Sequence, residues 1–155
     1  MKYFLYVLGA FFILFSTSCG DDKECNSPVK TPLGIGFFQQ INQEKASDSM
    51  LPALSFHPIG TVDTSIQTNI NAIYVPLNPH NNSTQFYIRP DTTLSMGDTI
   101  SISYTNDLQF VSAGCGFKNV YHLDTVQTTH HHIDSIRIKL KEVNVTQQNN
   151  IEVFY

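Results

Sequence analysis

Thr99-Ile100-Ser101-Ile102-Ser103-Tyr104 alternates small polar and large apolar side chains without a break. Successive side chains of a strand point to opposite faces, so Ile100, Ile102 and Tyr104 share one face and Ser101 and Ser103 the other. A helical period of 3.6 would scatter the same residues around an axis. The segment reads as a half-buried strand, and its pattern recurs along the chain. Leu33, Ile35 and Phe37 alternate with Gly34 and Gly36. Ile73, Val75 and Leu77 alternate with Tyr74 and Pro76, and a proline there places the strand at an edge or ends it. Ile136, Ile138 and Leu140 alternate with Arg137, Lys139 and Lys141, a half-buried strand with a basic outer face, and Ile151, Val153 and Tyr155 close the chain the same way.

Shorter runs at 53–56, 84–89, 108–113 and 117–123 fill the intervals, giving about nine short strands. Turn chemistry separates them at Asn78-Pro79, Asn81-Asn82, Pro90-Asp91, Met96-Gly97-Asp98 and Asn149-Asn150. Residues 41–50 could form a helical turn, but Asn42, Ser47, Asp48 and Ser49 are poor helix formers. Residues 123–133 are expected to hold a hairpin connection with Gln127-Thr128-Thr129 at its tip. The expected fold is all-β, an antiparallel β-sandwich, Ig-like or similar, with a β-barrel as the alternative.

Composition narrows the function classes. The chain has 155 residues, enough for one domain with its own core. Its net charge of −4 excludes a basic nucleic-acid footprint. Only 14% of residues are charged while there are 11 phenylalanines and 7 tyrosines, which excludes a disordered tail.

The N-terminus carries an address. Lys2 precedes an uncharged apolar run over 3–15, followed by Ser16-Thr17-Ser18-Cys19, the layout of an export signal over 1–18. That run is too short to cross a bilayer core, which takes about 20 residues. Ser16-Thr17-Ser18-Cys19 looks like a bacterial lipobox, with Ser16 where leucine is usual, so Cys19 is expected to be acylated, palmitate included, and to become the mature N-terminus. Gly20-Asp21-Asp22-Lys23-Glu24 then resembles the acidic export signal of surface lipoproteins in Bacteroidetes. Residues 19–32 read as a lipidated tether containing Pro28 and Pro32, and 33–155 as the single sandwich domain. The expected location is the outer membrane, facing outward; the alternative faces the periplasm.

With Cys19 assigned to lipid, Cys25 and Cys115 remain. In an oxidising compartment such a pair reads as a structural disulfide. The chain-entropy argument gives a bridge over so long a loop about 4–5 kcal/mol. A reactive or metal-binding thiol is the competing reading, and neither cysteine stands in a CxxC pair.

No catalytic residue is singled out, because the chain lacks a GxSxG elbow, an HExxH pair and a Walker loop. His130, His131 and His132 invite a metal reading. On a strand, His130, His132 and Asp134 would share a face, but three histidines in a polar connection read as a solvated loop, so no metal and no cofactor are expected. His57 and His80, each beside a proline, read as turn residues, and His122 as a strand residue facing solvent. The Asp-Ser/Thr pattern of Bacteroidetes O-glycosylation marks Ser49, Thr92, Thr99, Thr125 and Ser135 as candidate acceptors.

The chain resembles a family of short, uncharacterised Bacteroidetes lipoproteins. The resemblance rests on Cys25, Tyr74-Val75-Pro76-Leu77-Asn78, Asp98 to Tyr104, Phe110-Val111-Ser112-Ala113-Gly114-Cys115-Gly116-Phe117 and Asn150-Ile151-Glu152-Val153. It implies a lipid-anchored single domain with a Cys25–Cys115 pairing, and Gly114 and Gly116 suit a close passage of backbone beside the bridge. It carries no activity. The expected function is a non-enzymatic binding or structural module held on the membrane by its N-terminal lipid, with an envelope protein or glycan as partner and no nucleic acid. A glycan-binding or glycan-hydrolysing envelope protein is the alternative.

Overall fold

The computed structural model describes Cys25, residues 30–42 and residues 45–155. The export signal, Cys19 and the run Gly20, Asp21, Asp22, Lys23 and Glu24 lie outside the described residues.

Eleven strands and no helix form the described part. In chain order they are β1 (Leu33–Asn42), β2 (Lys45–Asp48), β3 (Leu54–Pro58), β4 (Ser65–Gln67), β5 (Ala72–Val75), β6 (Ser83–Arg89), β7 (Asp98–Ser112), β8 (Gly116–Thr128), β9 (Ser135–Ile138), β10 (Glu142–Val143) and β11 (Asn149–Phe154). They make two sheets in a sandwich-like arrangement. One has the order β2-β1-β11-β9, with β5 also paired to β1; the other runs β10-β8-β7-β6-β3-β4.

The alternation decides what faces inward. Leu33, Ile35 and Phe37 from β1, Ile73 and Val75 from β5 and Ile151 and Val153 from β11 are buried from one side. Leu54, Phe86, Ile88, Ile100, Ile102, Tyr104, Tyr121 and Leu123 meet them from the other. Ile133 and Val143 close the core from the last third of the chain. Strand β5 stops at Val75, just before Pro76.

Four features differ from the sequence expectation. The first and last strands lie side by side and run parallel, from Gly34 opposite Asn149 to Phe38 opposite Phe154, within otherwise antiparallel sheets. A side chain at Gly34 would run into the carbonyl oxygen of Gln148, and one at Gly36 would come within 2.5 Å of the Asn149 amide nitrogen. Residues 45–48 pair as a strand against β1 rather than coiling. The runs around 98–104 and 108–113 are one continuous 15-residue strand, β7. Residues 123–133 hold no hairpin: β8 continues through Thr128, and the chain then crosses to β9 in the other sheet. The hairpin between β7 and β8 turns instead at 113–115, where Gly116 has φ +69° with open space around its α-carbon. Left-handed backbone, not crowding by the bridge, accounts for that glycine.

Candidate functional site

The β7–β8 hairpin outgrows its sheet. Along β7 one face carries Ile100, Ile102 and Tyr104, each at most 1% exposed, and continues through Asn106 to Leu108 and Phe110, which are 69% and 60% exposed. Across the ladder, Phe117 stands opposite Phe110 and is 62% exposed. The facing sheet covers the base of this face and leaves the distal part bare. The Phe110 and Phe117 rings meet edge to face at 5.4 Å between centroids, so the apolar tip is held together by its own cross-strand pair.

The tip is tied to the front of the chain. Cys115, in the turn, is disulfide-bonded to Cys25 across a sequence separation of 90, and its N–H donates to Ser112 Oγ at 3.1 Å. Behind the bridge, Lys30, Thr31 and Pro32 border a cleft shared with Asn119 and Tyr121 at the base of the arm. Thr31 is buried, so the end of the expected tether packs on the domain.

A second surface lies on the outer face of the six-stranded sheet. Gln85, Ser101 and Gln127 are cross-strand neighbours, as are Ser83, Ser103 and Thr125. Gln85 Nε2 donates to Ser101 Oγ at 2.9 Å. Most of these residues line an open cleft of 710 Å³ that extends to Asn78 and Asn81 on the β5–β6 connection. Two buried tyrosines fix that connection. Tyr104 Oη bonds both the N–H and the carbonyl of Asn78, at 3.1 and 2.9 Å, and Tyr121 Oη donates to Leu77 O at 3.3 Å. Burial, together with neighbouring Tyr104, raises the Tyr121 hydroxyl above its ordinary value.

The three histidines lie on a loop rather than a strand, which removes the shared face that metal ligation would use. The loop is built around Asp98, whose side chain is fully buried. Its carboxylate accepts the N–H of His131 at 2.7 Å, of His132 at 2.8 Å and of Ile133 at 3.0 Å, and the Thr129 hydroxyl at 2.9 Å. Burial would raise the carboxyl, but these bonds outweigh it and hold it below its ordinary 3.8. His130 Nδ1 lies 3.0 Å from Ile133 O. Among the described residues no group of three or more His, Cys, Asp or Glu side chains is arranged to hold a metal ion.

The second buried carboxylate, Glu152, is engaged by Arg137 Nη2 at 2.6 Å and Lys139 Nζ at 2.9 Å. Here too burial pushes the carboxyl up, and bonds to Lys139 and Arg137 more than reverse it. Two of the three cations read along 136–141, Arg137 and Lys139, are therefore the counter-charge of Glu152, with the Arg137 guanidinium 4.9 Å from the centre of the Phe154 ring.

The remaining sequence-singled residues are dispersed. His57 is inside β3, with its ring 5.3 Å from that of Tyr87, rather than in a turn. His80 is in the turn after β5. His122 lies on β8, 3.5 Å from Asp107. Of the candidate glycan acceptors, Thr125 and Ser135 are exposed, while Ser49, Thr92 and Thr99 are half-buried. Sequence reasoning did not foresee Asp98 as an anchor. The signal was an acid at the end of a turn and the first position of β7, but its partners lie more than 30 residues away.

No curated protein matches the chain, and no solved structure does. The profile of a family of unknown function, DUF6452, matches residues 57–155, from within β3 to the last residue and including Cys115, and the chain belongs to that family.

Proposed function

We propose that the protein is a lipid-anchored, non-enzymatic module of the outer membrane, carried on an acylated Cys19 and facing outward. The observation that supports this best is the Cys25–Cys115 bridge. It ties the domain, at the tip of its longest hairpin, to a point six residues after the expected lipid site. A free tether would let the domain tumble above the membrane; a bridged one sets its orientation. The two buried carboxylates, Asp98 and Glu152, are both committed to holding strands and loops, which favours a structural use of the acids over a catalytic one.

The test combines intact mass, fractionation and protease shaving. The mature protein is expected to exceed the mass of polypeptide 19–155 by an acylated glyceryl group, and Cys19→Ala to leave the membrane fraction. Membrane retention of Cys19→Ala without a mass increment would overturn the lipid anchor. Shaving of intact cells is expected to remove the wild-type protein; protection would place it on the periplasmic side.

A second reading is favoured by the polar cleft. Uncharged amides and hydroxyls in cross-strand rows suit a neutral, hydroxyl-rich ligand such as a glycan. In that case Gln85→Ala with Gln127→Ala abolishes retention on immobilised envelope polysaccharide while thermal unfolding is unchanged. Equal retention of the double variant rules this reading out.

A further inference from the structure

We propose that the tip of the β7–β8 arm is a membrane-contacting surface, with Leu108, Phe110 and Phe117 seated at the headgroup level of the bilayer that holds the lipid anchor. This rests on the lipid-anchored reading of Cys19. Three observations select a bilayer as the occupant. First, these side chains are the uncovered continuation of the core face, and all three are at least 60% exposed. Second, the six residues from Cys19 to Cys25 span at most about 20 Å fully extended, and Cys25 is bonded to the tip itself. The tip therefore cannot leave the neighbourhood of the membrane, whatever path those residues take. Third, residues 108–118 contain no carboxylate and a single cation, Lys118, although acids outnumber bases in the whole chain by 13 to 9. An aromatic pair with a neighbouring lysine suits the interface between acyl chains and headgroups, where apolar surface is buried and the ammonium stays in water.

The contact has a consequence for geometry. The lipid and the arm tip become two attachment points, so the domain is held upright with its body directed away from the membrane. The outer face of the six-stranded sheet then remains open to solvent.

The chain contains no tryptophan, so a single introduced indole reports without background. Phe110→Trp is compared with Val62→Trp, the latter on the β3–β4 connection at a position 99% exposed. Both proteins are purified with their lipid, checked by intact mass and reconstituted into neutral phosphatidylcholine vesicles brominated in the upper acyl chain. Phe110→Trp is expected to emit at shorter wavelength than in detergent-free buffer with the anchor removed, and to lose roughly half its intensity to the brominated lipid. Val62→Trp is expected to show neither change. A lipidated Phe110→Trp that behaves like Val62→Trp overturns the membrane contact and leaves the anchor standing, with a protein partner or second copy as the occupant of the tip. A mass with no acyl group on Cys19 overturns both. Both substitutions replace exposed side chains, and matching circular dichroism spectra confirm the fold.

Discussion

Removing the carboxylate of Asp98 leaves the N–H groups of His131, His132 and Ile133 without their acceptor, in a loop where Ile133 is buried, His132 half-buried and His131 exposed. Asp98→Ala is expected to cost about 2 kcal/mol, because the buried Ile133 donor carries its full desolvation penalty while those of His131 and His132 are partly met by water. Urea unfolding measures this, and a loss below about 1 kcal/mol would mean that water reaches the loop. The same bonds set an acid limit. Asp98 and Glu152 have their carboxyls held below ordinary values of 3.8 and 4.5, so the unfolded chain binds these protons more readily than the folded one. Their contribution is complete above those ordinary values and is lost as pH falls through the lower folded ones. The contribution of these two carboxylates is thus expected to be level from neutrality to about pH 5 and to drop below about pH 4, with the advantage of wild type over Asp98→Asn shrinking across the same window. Chemical denaturation at stepped pH tests the sign. From the sequence, Asp98 was legible only as the end of a turn and the start of a glycosylation pattern, since a residue's hydrogen-bond partners across a fold leave no local mark.

At the scale of elements, the bridge and the parallel pair invite separate tests. Replacing both Cys25 and Cys115 by serine is expected to lower stability by about 4 kcal/mol, following the loop entropy released to the unfolded chain. An unchanged urea midpoint under reducing and oxidising conditions would show that the bridge does not restrict the unfolded ensemble. Gly34→Ala addresses the pairing of β1 with β11. Its new methyl meets backbone, the carbonyl of Gln148, which cannot swing aside as a side chain would. About 2–3 kcal/mol of destabilisation is expected, the scale of overpacking a tight site, and thermal unfolding reads it. Strand periods were readable because period-2 alternation is a local property: β1 and β6 begin where the pattern puts them, while β9 stops at Ile138, short of Leu140, and β11 opens at Asn149-Asn150, residues whose chemistry reads as a turn. The short strands β2, β4 and β10 carry too few residues to show a period, and they form because neighbours offer free ladder edges. The β7–β8 arm was split into pieces on reading because Thr105, Asn106 and Asp107 interrupt the apolar alternation, while backbone pairing runs on through them.

At the scale of the molecule, the first described strand and the last are neighbours: β11 lies between β1 and β9, and its residues Ile151 and Val153 are fully buried. A chain truncated after Gln148 is therefore expected to lose its cooperative thermal transition altogether, because β1 then faces an empty ladder edge. A transition surviving in circular dichroism would mean that the six-stranded sheet folds alone. Pairing the first described strand with the last also makes the closing contacts non-local, a topology that folds slowly. The all-β class, the inward set of Leu33, Ile35, Ile100, Ile102, Ile151 and Val153, and the pair of cysteines that are bridged can all be read along the chain. Those follow from side-chain alternation and from elementary redox chemistry, both of which are written residue by residue. That β1 and β11 run parallel, that the loop through His131 and His132 wraps Asp98, and that Leu108, Phe110 and Phe117 stand uncovered emerges only once the two sheets are assembled. Which strand lies beside which depends on how two sheets cover one another's apolar faces. An overhanging face therefore appears only once the sheet that fails to cover it is in place.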